Sequence, residues 1–400
     1  MQSSRRRFLE ASGVAALSAM ASPAPAAGSD DDPLGVRKDF PATRDYTFLN
    51  TAYIGLISQP VVDAAHDWIE ARARHTYTVG QMEAKKHEAR KLFAAMVGAA
   101  EDEIGFLSST TEGENVVVNS LEFKRGDNIV FDDIVYPSTP VIYRRLQETH
   151  GVELRVVKNR DGAGAVEDFA KLVDARTRIV SVAWVSNTSG HRHDIKGLAD
   201  LAHAHGAYLY ADAVQFMGTA PVDVHALGVD FFTTGTYKWL MAGFGVAPFY
   251  VRRALLDRIH PANVGWMFEK RIPTDARKFE YSSPAFGQMY ELAASLAYFQ
   301  RIGLDKIEAQ SLALAQRLRK GLADRKFRIF TPEGNRSSIV SFYTKTTARD
   351  AQAVLDAARV KVSVQEEAPD PTVRIRVAPA FFNNNAEVDR LLEVSDKLRT

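Results

Sequence analysis

The chain has 400 residues, of which 46% are hydrophobic and 25% are charged, and its formal net charge is +1. This length and composition indicate a globular protein with more than one domain, and the near-neutral charge gives no basic face for nucleic acid. The absence of cysteine excludes disulfides, thiolate metal sites and a cysteine nucleophile. No apolar run has transmembrane length, so we expect no stable membrane association.

The first 27 residues have the three parts of a secretory signal in the usual order. A basic start is followed by a modest apolar segment over 11–21 and by small residues up to Ala27. This stretch resembles a twin-arginine export signal with Arg5 and Arg6 as the pair; an ordinary helical or disordered N-terminus is the alternative. We predict a signal peptide over 1–27, export by the twin-arginine machinery to the periplasm or the outside, and a polar arm over 28–45.

Strands alternate with helices from residue 46 to about residue 250, which indicates an α/β domain with a mostly parallel sheet. Strands are predicted at 104–107, 128–132, 152–157, 178–184, 207–211 and 229–233, and helices at 60–74, 82–97 and 194–205. Ligands of such sheets collect beyond the carboxyl ends of the strands. We expect convergence of the residues that follow strand ends: Thr110, Tyr136, Asn187, Asp212 and the loop 234–238.

A turn rich in hydroxyl groups at 108–115 joins a predicted strand to a predicted helix. The free N–H groups and the dipole of a helix N-terminus favour a phosphate there. Thr111 and Glu114 also fit a capping box, which is the purely structural alternative.

A lysine stands alone in one of the least polar parts of the chain. Lys238 is the only lysine between Lys196 and Lys270, so it either extends to the surface or is held for its amine. Asp212 ends one apolar run upstream, and Gln215 follows three residues later. We predict that Lys238 is the Schiff-base lysine of a pyridoxal 5′-phosphate (PLP) enzyme.

The remainder of the chain predicts a smaller α+β domain. A long helix over 288–302 bridges to it, strands are expected at 327–330, 338–343 and 372–377, and helices at 309–323, 348–358 and 386–397. We therefore divide the mature chain into a large domain over 46–287 and a small domain over 288–400. No metal is predicted, because His191 and His193 flank Arg192 and no carboxylate cluster stands at ligand spacing.

Two segments, YLYADAVQ at 208–215 and YKWL at 237–240, together with the spacing from Asp212 to Lys238, resemble aminotransferase class V of the fold-type I PLP enzymes. Within this class the chain resembles members like isopenicillin-N-epimerase and like cysteine desulfurase, and the resemblance covers about 46–398. It implies a large domain with a mostly parallel sheet between helices and a smaller α+β C-terminal domain.

The resemblance also implies roles for residues around the cofactor. Lys238 would form the Schiff base and move the Cα proton, Asp212 would pair with the protonated pyridine nitrogen, and Gln215 would bind the phenolic oxygen. Tyr136 would stack on the ring, although a lone tyrosine is more often part of a core. The phosphate would be held by Thr110, Thr111, Tyr237 and Thr234 or Thr236.

The substrate and the partner subunit complete the implied site. Arg376 would bind the substrate carboxylate with its two-pronged guanidinium, with Asn187 and Asn50 nearby. We expect Arg374 to point to the opposite face of the strand. Ser283 stands where the family reaches the partner's phosphate, which implies a homodimer.

The chain departs from the family pattern at several positions. The absence of cysteine rules out a persulfide-forming residue, Tyr237 replaces a common histidine, and Ala378 replaces a common serine. We expect a PLP enzyme acting at Cα or Cβ of an amino acid, as an epimerase or a lyase. A transaminase and a non-catalytic PLP- or amine-binding protein are the alternatives.

Overall fold

The computed structural model describes residues 31–265, 268–366 and 372–399. The predicted signal peptide and the first residues of the polar arm lie outside this part of the chain. The strands are β1 Thr47–Phe48, β2 Ile104–Leu107, β3 Asn128–Asp132, β4 Glu153–Val157, β5 Thr177–Ala183, β6 Tyr208–Asp212, β7 Phe231–Thr233, β8 Ala247–Val251, β9 Val340–Thr344, β10 Val360–Lys361, β11 Ser363–Glu366 and β12 Val373–Val377.

The α-helices match most of the predicted segments to within a few residues. They are α1 Gln59–Arg74, α2 Val79–Val97, α3 Thr110–Asn119, α4 Ser138–His150, α5 Val166–Ala170, α6 Ile195–Ala204, α7 Val224–Leu227, α8 Phe286–Ile302, α9 Leu304–Asp324, α10 Ala348–Ala357 and α11 Asn385–Ser395. Helix α2 begins earlier than predicted, because Thr78 and Gln81 form a reciprocal capping box at its start.

A seven-stranded sheet in the order β2-β8-β7-β6-β5-β3-β4 forms the centre of the large domain. Strands β4, β3, β5, β6 and β7 are parallel to one another. Strand β8 is antiparallel to β7, and β2 at the edge is antiparallel to β8. The predicted mostly parallel sheet is therefore confirmed.

Each strand of this sheet contributes to two separate cores. Leu209 and Phe232 pack in one cluster, whereas their neighbours Tyr210 and Phe231 pack in another. Successive side chains of a strand point to opposite faces, so apolar residues at consecutive positions bury both faces under helices. This explains why the strands read as nearly continuous apolar runs.

The C-terminal part has an antiparallel sheet in the order β11-β12-β9. Its core contains residues of α9, α10 and α11, among them Leu318, Leu355 and Leu391. The predicted strand at 327–330 is wrong: only Ile329 forms an isolated bridge, to Phe342. Phe330 and Thr331 still donate their N–H groups to the carbonyl of Ser341, and the next residue, Pro332, has no N–H to donate.

The N-terminal segment connects the two parts of the molecule. Strand β1 pairs in parallel with β10, and Asn50 bridges to Ala378 at the end of β12. Helix α8 packs against α1 and α2, with Trp68 stacked on Tyr290 at 4.6 Å. Within the described ranges, none of the helices combines the length and the apolar character that a membrane crossing requires.

Candidate active site

A cavity of about 630 Å³ opens where the carboxyl ends of the parallel strands meet the C-terminal sheet. Its walls include six of the residues that the sequence analysis assigned to the site: Asn50, Tyr136, Asn187, Tyr237, Lys238 and Arg376. Gln215 is buried and Asp212 is half-buried, and neither belongs to the lining.

Lys238 lies in the loop after β7, and only 6% of its surface is exposed. Its Nζ makes no hydrogen bond to any residue that the structure describes, and it lies 5.9 Å from the ring centre of Tyr136 and 5.5 Å from that of Tyr237. Burial lowers the pKa of Lys238 to about 8; Asp212 opposes this shift, and Arg376 adds to it. The site therefore holds an amine that loses its proton far more easily than an ordinary lysine.

The turn after Asn50 contacts the loop 234–238 that carries Lys238, which we call the lysine loop. Gly55 donates its N–H to the carbonyl of Tyr237 at 2.9 Å. A Cβ at Gly55 would lie 2.0 Å from the carbonyl oxygen of Lys238, so only glycine fits this contact.

Asp212 ends β6 in a half-buried position. Its Oδ1 accepts a hydrogen bond of 3.0 Å from the N–H of Val214. Burial raises the pKa of Asp212, while that hydrogen bond and the charge of Lys238 lower it. A carboxylate with so few donors is stabilised by a nearby cation, and a protonated pyridine nitrogen is such a cation.

Gln215 uses both ends of its amide within the protein. Its Nε2 donates to the carbonyl of Ala52 at 3.0 Å, and its Oε1 accepts from the indole N–H of Trp239 at 2.7 Å. One amide hydrogen remains, so the contact of Gln215 with a phenolic oxygen stays a prediction.

Thr110 and Thr111 form the first turn of α3, as the phosphate hypothesis requires. The capping box predicted for Thr111 and Glu114 is wrong, because Ser109 caps the helix by accepting from the N–H of Glu112 at 3.1 Å. The helix begins two residues earlier than the box required. The N–H groups of Thr110 and Thr111 have no partner within the helix, and they are available to an anion.

Thr234 and Thr236 are buried in the lysine loop, outside the cavity lining. The hydroxyl of Thr236 donates to the carbonyl of Gly243 at 2.5 Å, and that of Thr234 lies 3.3 Å from the carbonyl of Gly235. These contacts shape the loop, and phosphate binding by either threonine stays a prediction. The same holds for Ser283, which is exposed and outside the lining.

Arg376 enters the cavity from β12. Its guanidinium donates to the carbonyl of Asn187 and to the hydroxyl of Ser363, each at 2.9 Å, and Ser363 donates to Asn50 at 2.8 Å. Burial and, to a smaller extent, the charge of Arg374 lower the pKa of Arg376 to about 10. Its Nε is buried without a hydrogen-bond partner in the described chain, so this donor is free for a carboxylate.

The expectation that Arg374 points away from Arg376 is wrong. Residues two apart in a strand share a face, and Arg374 donates to Gln365, which lines the cavity. Ser363 also lines the cavity and was not predicted from the sequence. No local motif marks this serine, because its position follows from the register in which Ser363 pairs with Arg376 across β11 and β12.

The free groups of the cavity fit PLP and an amino acid. The side-chain oxygen of Asn187 and the Nε of Arg376 are buried and unpaired in the described chain, Lys238 offers an unbonded amine, and Asp212 requires a cation. No set of three or more potential metal ligands occurs in residues 31–265, 268–366 and 372–399.

Comparison with known proteins gives the same family. The model of aminotransferase class V matches residues 55–391. A probable cysteine desulfurase of Pyrococcus abyssi is 28% identical over 92% of this chain and 97% of its own length. An uncharacterised aminotransferase of Bacillus subtilis is 27% identical over 89% of this chain and 95% of its own length.

Solved structures agree with this assignment. The apo structure of a cysteine desulfurase from Thermococcus onnurineus superposes with a TM-score of 0.85 at 28% identity, over 93% of this chain and 99% of that chain. A cystine C–S lyase in complex with cysteine persulfide shares the fold, with a TM-score of 0.84 at 19% identity over 90% of this chain and all of that one.

Fold and site together define a fold-type I PLP-dependent enzyme. The chain belongs to aminotransferase class V, which confirms the predicted family and cofactor.

Proposed function

We propose that the protein is a PLP-dependent lyase that removes a leaving group from Cβ of an α-amino acid. The observation that carries this proposal is the placement of the Lys238 amine and the Arg376 guanidinium in one cavity, in a chain without cysteine. A desulfurase that stores sulfur on its own cysteine is excluded, so any sulfur removed would leave directly as a small molecule.

Each site residue has a separate role in the proposed reaction. Arg376 binds the substrate carboxylate through its unpaired Nε, and Asn187 lies beside it. Bound PLP would supply the electron sink for the negative charge at Cα, and Asp212 would hold its pyridine nitrogen protonated. Lys238 would accept the Cα proton as its neutral amine. The leaving group would depart from Cβ with the bonding electron pair, and the released enamine would hydrolyse in water to a keto acid and ammonia.

Epimerisation is the second candidate, and one observation favours it. Tyr53 and Tyr136 both line the cavity, and a phenol on the face opposite Lys238 is the second proton donor that epimerisation needs. A lyase needs no such donor, so exchange and inversion at Cα without ammonia would identify the epimerase.

Three variants test the proposal with a panel of amino acids in deuterated water. Wild type is expected to release keto acid and ammonia with one amino acid, and Lys238→Ala is expected to lose the visible PLP absorbance. Arg376→Lys keeps the positive charge but loses the planar guanidinium with its paired N–H donors. We therefore expect KM for the amino acid to rise about tenfold or more. The matched control is Arg319→Lys, whose arginine donates to the carbonyl of Thr331 away from the cavity.

Two outcomes contradict the proposal. One is the absence of PLP absorbance in wild type, and the other is an unchanged KM in Arg376→Lys. Pyridoxamine formation without ammonia would assign a transaminase instead.

The homodimer and the export route are further proposals. An equilibrium sedimentation mass of one chain would contradict the dimer. Continued export of a variant with Arg5→Lys and Arg6→Lys would contradict the twin-arginine route.

A further inference from the structure

Two cross-strand pairs lie next to each other on one face of the sheet β11-β12-β9. Ser363 is opposite Arg376, and Gln365 is opposite Arg374. Residues two apart in a strand share a face, and both Ser363 and Gln365 line the cavity. The proposed reaction uses the first pair, in which Arg376 binds the substrate carboxylate, and leaves the second pair without a role.

Arg374 fixes the direction in which the Gln365 amide points. Its Nη2 donates to the Oε1 of Gln365 at 3.0 Å. A guanidinium has donors and no acceptor, so the amide oxygen must face Arg374 and the NH2 group must point away from it. Arg374 is buried, and its guanidinium lies 5.1 Å from the ring centre of Phe330. The partner's chemistry therefore orients Gln365 as a donor to the cavity.

The surroundings of this donor favour an oxygen with negative charge. Among the residues that the structure describes, none accepts a hydrogen bond from the NH2 group of Gln365. The charged residues among the described lining are Lys238 and Arg376, both basic, and no carboxylate belongs to it. Arg374 places another positive charge directly behind Gln365. Hydrogen bonds to an ionised acceptor are the stronger ones.

The distance between the two pairs suits an amino acid with an oxygen at the end of its side chain. Neighbouring positions on one face of a strand are about 7 Å apart. A substrate whose α-carboxylate binds Arg376 can therefore extend its side chain along β11 to Gln365. Side chains of the size of aspartate and glutamate have this reach.

We propose that Gln365, oriented by Arg374, determines specificity by donating a hydrogen bond to an anionic oxygen group on the side chain of the substrate. The substrate class is then an α-amino acid whose side chain, or whose leaving group on Cβ, carries such a group. An apolar side chain of the same shape leaves the donor unpaired, which weakens binding. This inference rests on the proposed function, since it needs the α-carboxylate on Arg376.

Titration of the PLP-loaded enzyme with L-aspartate, L-glutamate and L-leucine tests the proposal through the initial change in visible absorbance. Aspartate and leucine have nearly the same shape and differ in the carboxylate oxygens. We expect wild type to bind the better acidic amino acid about tenfold more tightly than leucine. Gln365→Glu keeps an acceptor for Arg374 but loses the donor to the cavity, so this preference should disappear while the affinity for leucine stays within about threefold.

Gln365→Met removes the donor without adding charge and should also lose the preference. Arg374→Met releases the amide, and we expect the ratio of the two affinities to fall while leucine binds as before. The matched control is Gln147→Glu, since Gln147 is exposed on α4 and outside the cavity lining. It should keep the ratio of wild type.

A wild type without preference for acidic amino acids, or an unchanged ratio in both Gln365 variants, would overturn the proposal. Calorimetry without PLP gives a second measurement, with succinate and 4-methylpentanoate as the amine-free counterparts of aspartate and leucine. Tighter binding of succinate by wild type than by Gln365→Met supports the proposal, and equal binding overturns it. If wild type shows no PLP band, the proposed function fails, and the calorimetric comparison still decides the role of Gln365.

Discussion

Gln215 accepts a hydrogen bond of 2.7 Å from the indole N–H of Trp239, the residue that directly follows Lys238. Both side chains are buried, and the other end of the Gln215 amide holds the carbonyl of Ala52. One side chain thus connects the lysine loop to the N-terminal turn that borders the cavity.

Replacing Gln215 with leucine leaves the Trp239 N–H buried without an acceptor. We expect the free energy of unfolding to fall by about 1–3 kcal/mol and PLP affinity to fall with it, because the lysine loop loses a support. Urea unfolding and PLP titration measure the two effects. A Gln215→Glu variant keeps an acceptor for Trp239 and is the informative control. Unchanged stability in Gln215→Leu would contradict this role.

The lowered pKa of Lys238 predicts how PLP loading depends on pH. A lysine amine attacks the aldehyde only when neutral, so the rate at which apo-protein gains visible absorbance should rise with pH and level off above about 8. Asp212→Asn removes the charge that opposes the shift, and it should move the midpoint to lower pH. A midpoint near 10.5, the ordinary lysine value, would contradict the prediction.

The raised pKa of the buried Glu114 predicts a pH-dependent loss of stability in the protein without PLP. Its pKa rises from 4.5 in the unfolded chain to about 7 in the fold, so the folded state binds more protons between these values. Its contribution to stability is therefore full below pH 4.5 and decreases by about 3 kcal/mol as the pH passes 7. Glu114→Gln should lack this decrease.

Urea unfolding of wild type and Glu114→Gln at about pH 5 and about pH 8 measures the difference. The two proteins differ only at residue 114, so the difference between them reports Glu114 together with the neighbours to which it is coupled, Asp212 and Tyr143. Parallel changes in the two proteins would contradict the prediction.

Gly55→Ala should disturb the lysine loop. The added Cβ would lie 2.0 Å from the carbonyl oxygen of Lys238, which is too close for any real contact, and the loop must move. We expect a loss of about 1–3 kcal/mol in stability together with weaker PLP binding. Gly80→Ala is the matched control, since its Cβ would meet its nearest atom only at 3.9 Å. Equal PLP affinity in the two variants would contradict this role of Gly55.

The sequence predicted those parts of the site that depend on short stretches of chain. Asp212 and Lys238 each follow a strand of one parallel sheet, so their convergence follows from the strand pattern alone. Ser363 lies beside Arg376 only because two distant strands pair in one register, which no local pattern specifies. The sequence suggested a capping box for Glu114. In the fold its side chain is buried instead, because Ser109 takes the N-cap position.

The hydrogen bond between Ser363 and Asn50 joins positions that are 313 residues apart, and Arg376 donates a hydrogen bond to the same serine. On the ribosome, the segments that carry Asp212 and Lys238 therefore emerge well before Arg376, the residue proposed to bind the substrate carboxylate. A chain interrupted before β12 would retain the lysine and the aspartate and lack this arginine, so the proposed anchor is the last part of the site to be synthesised.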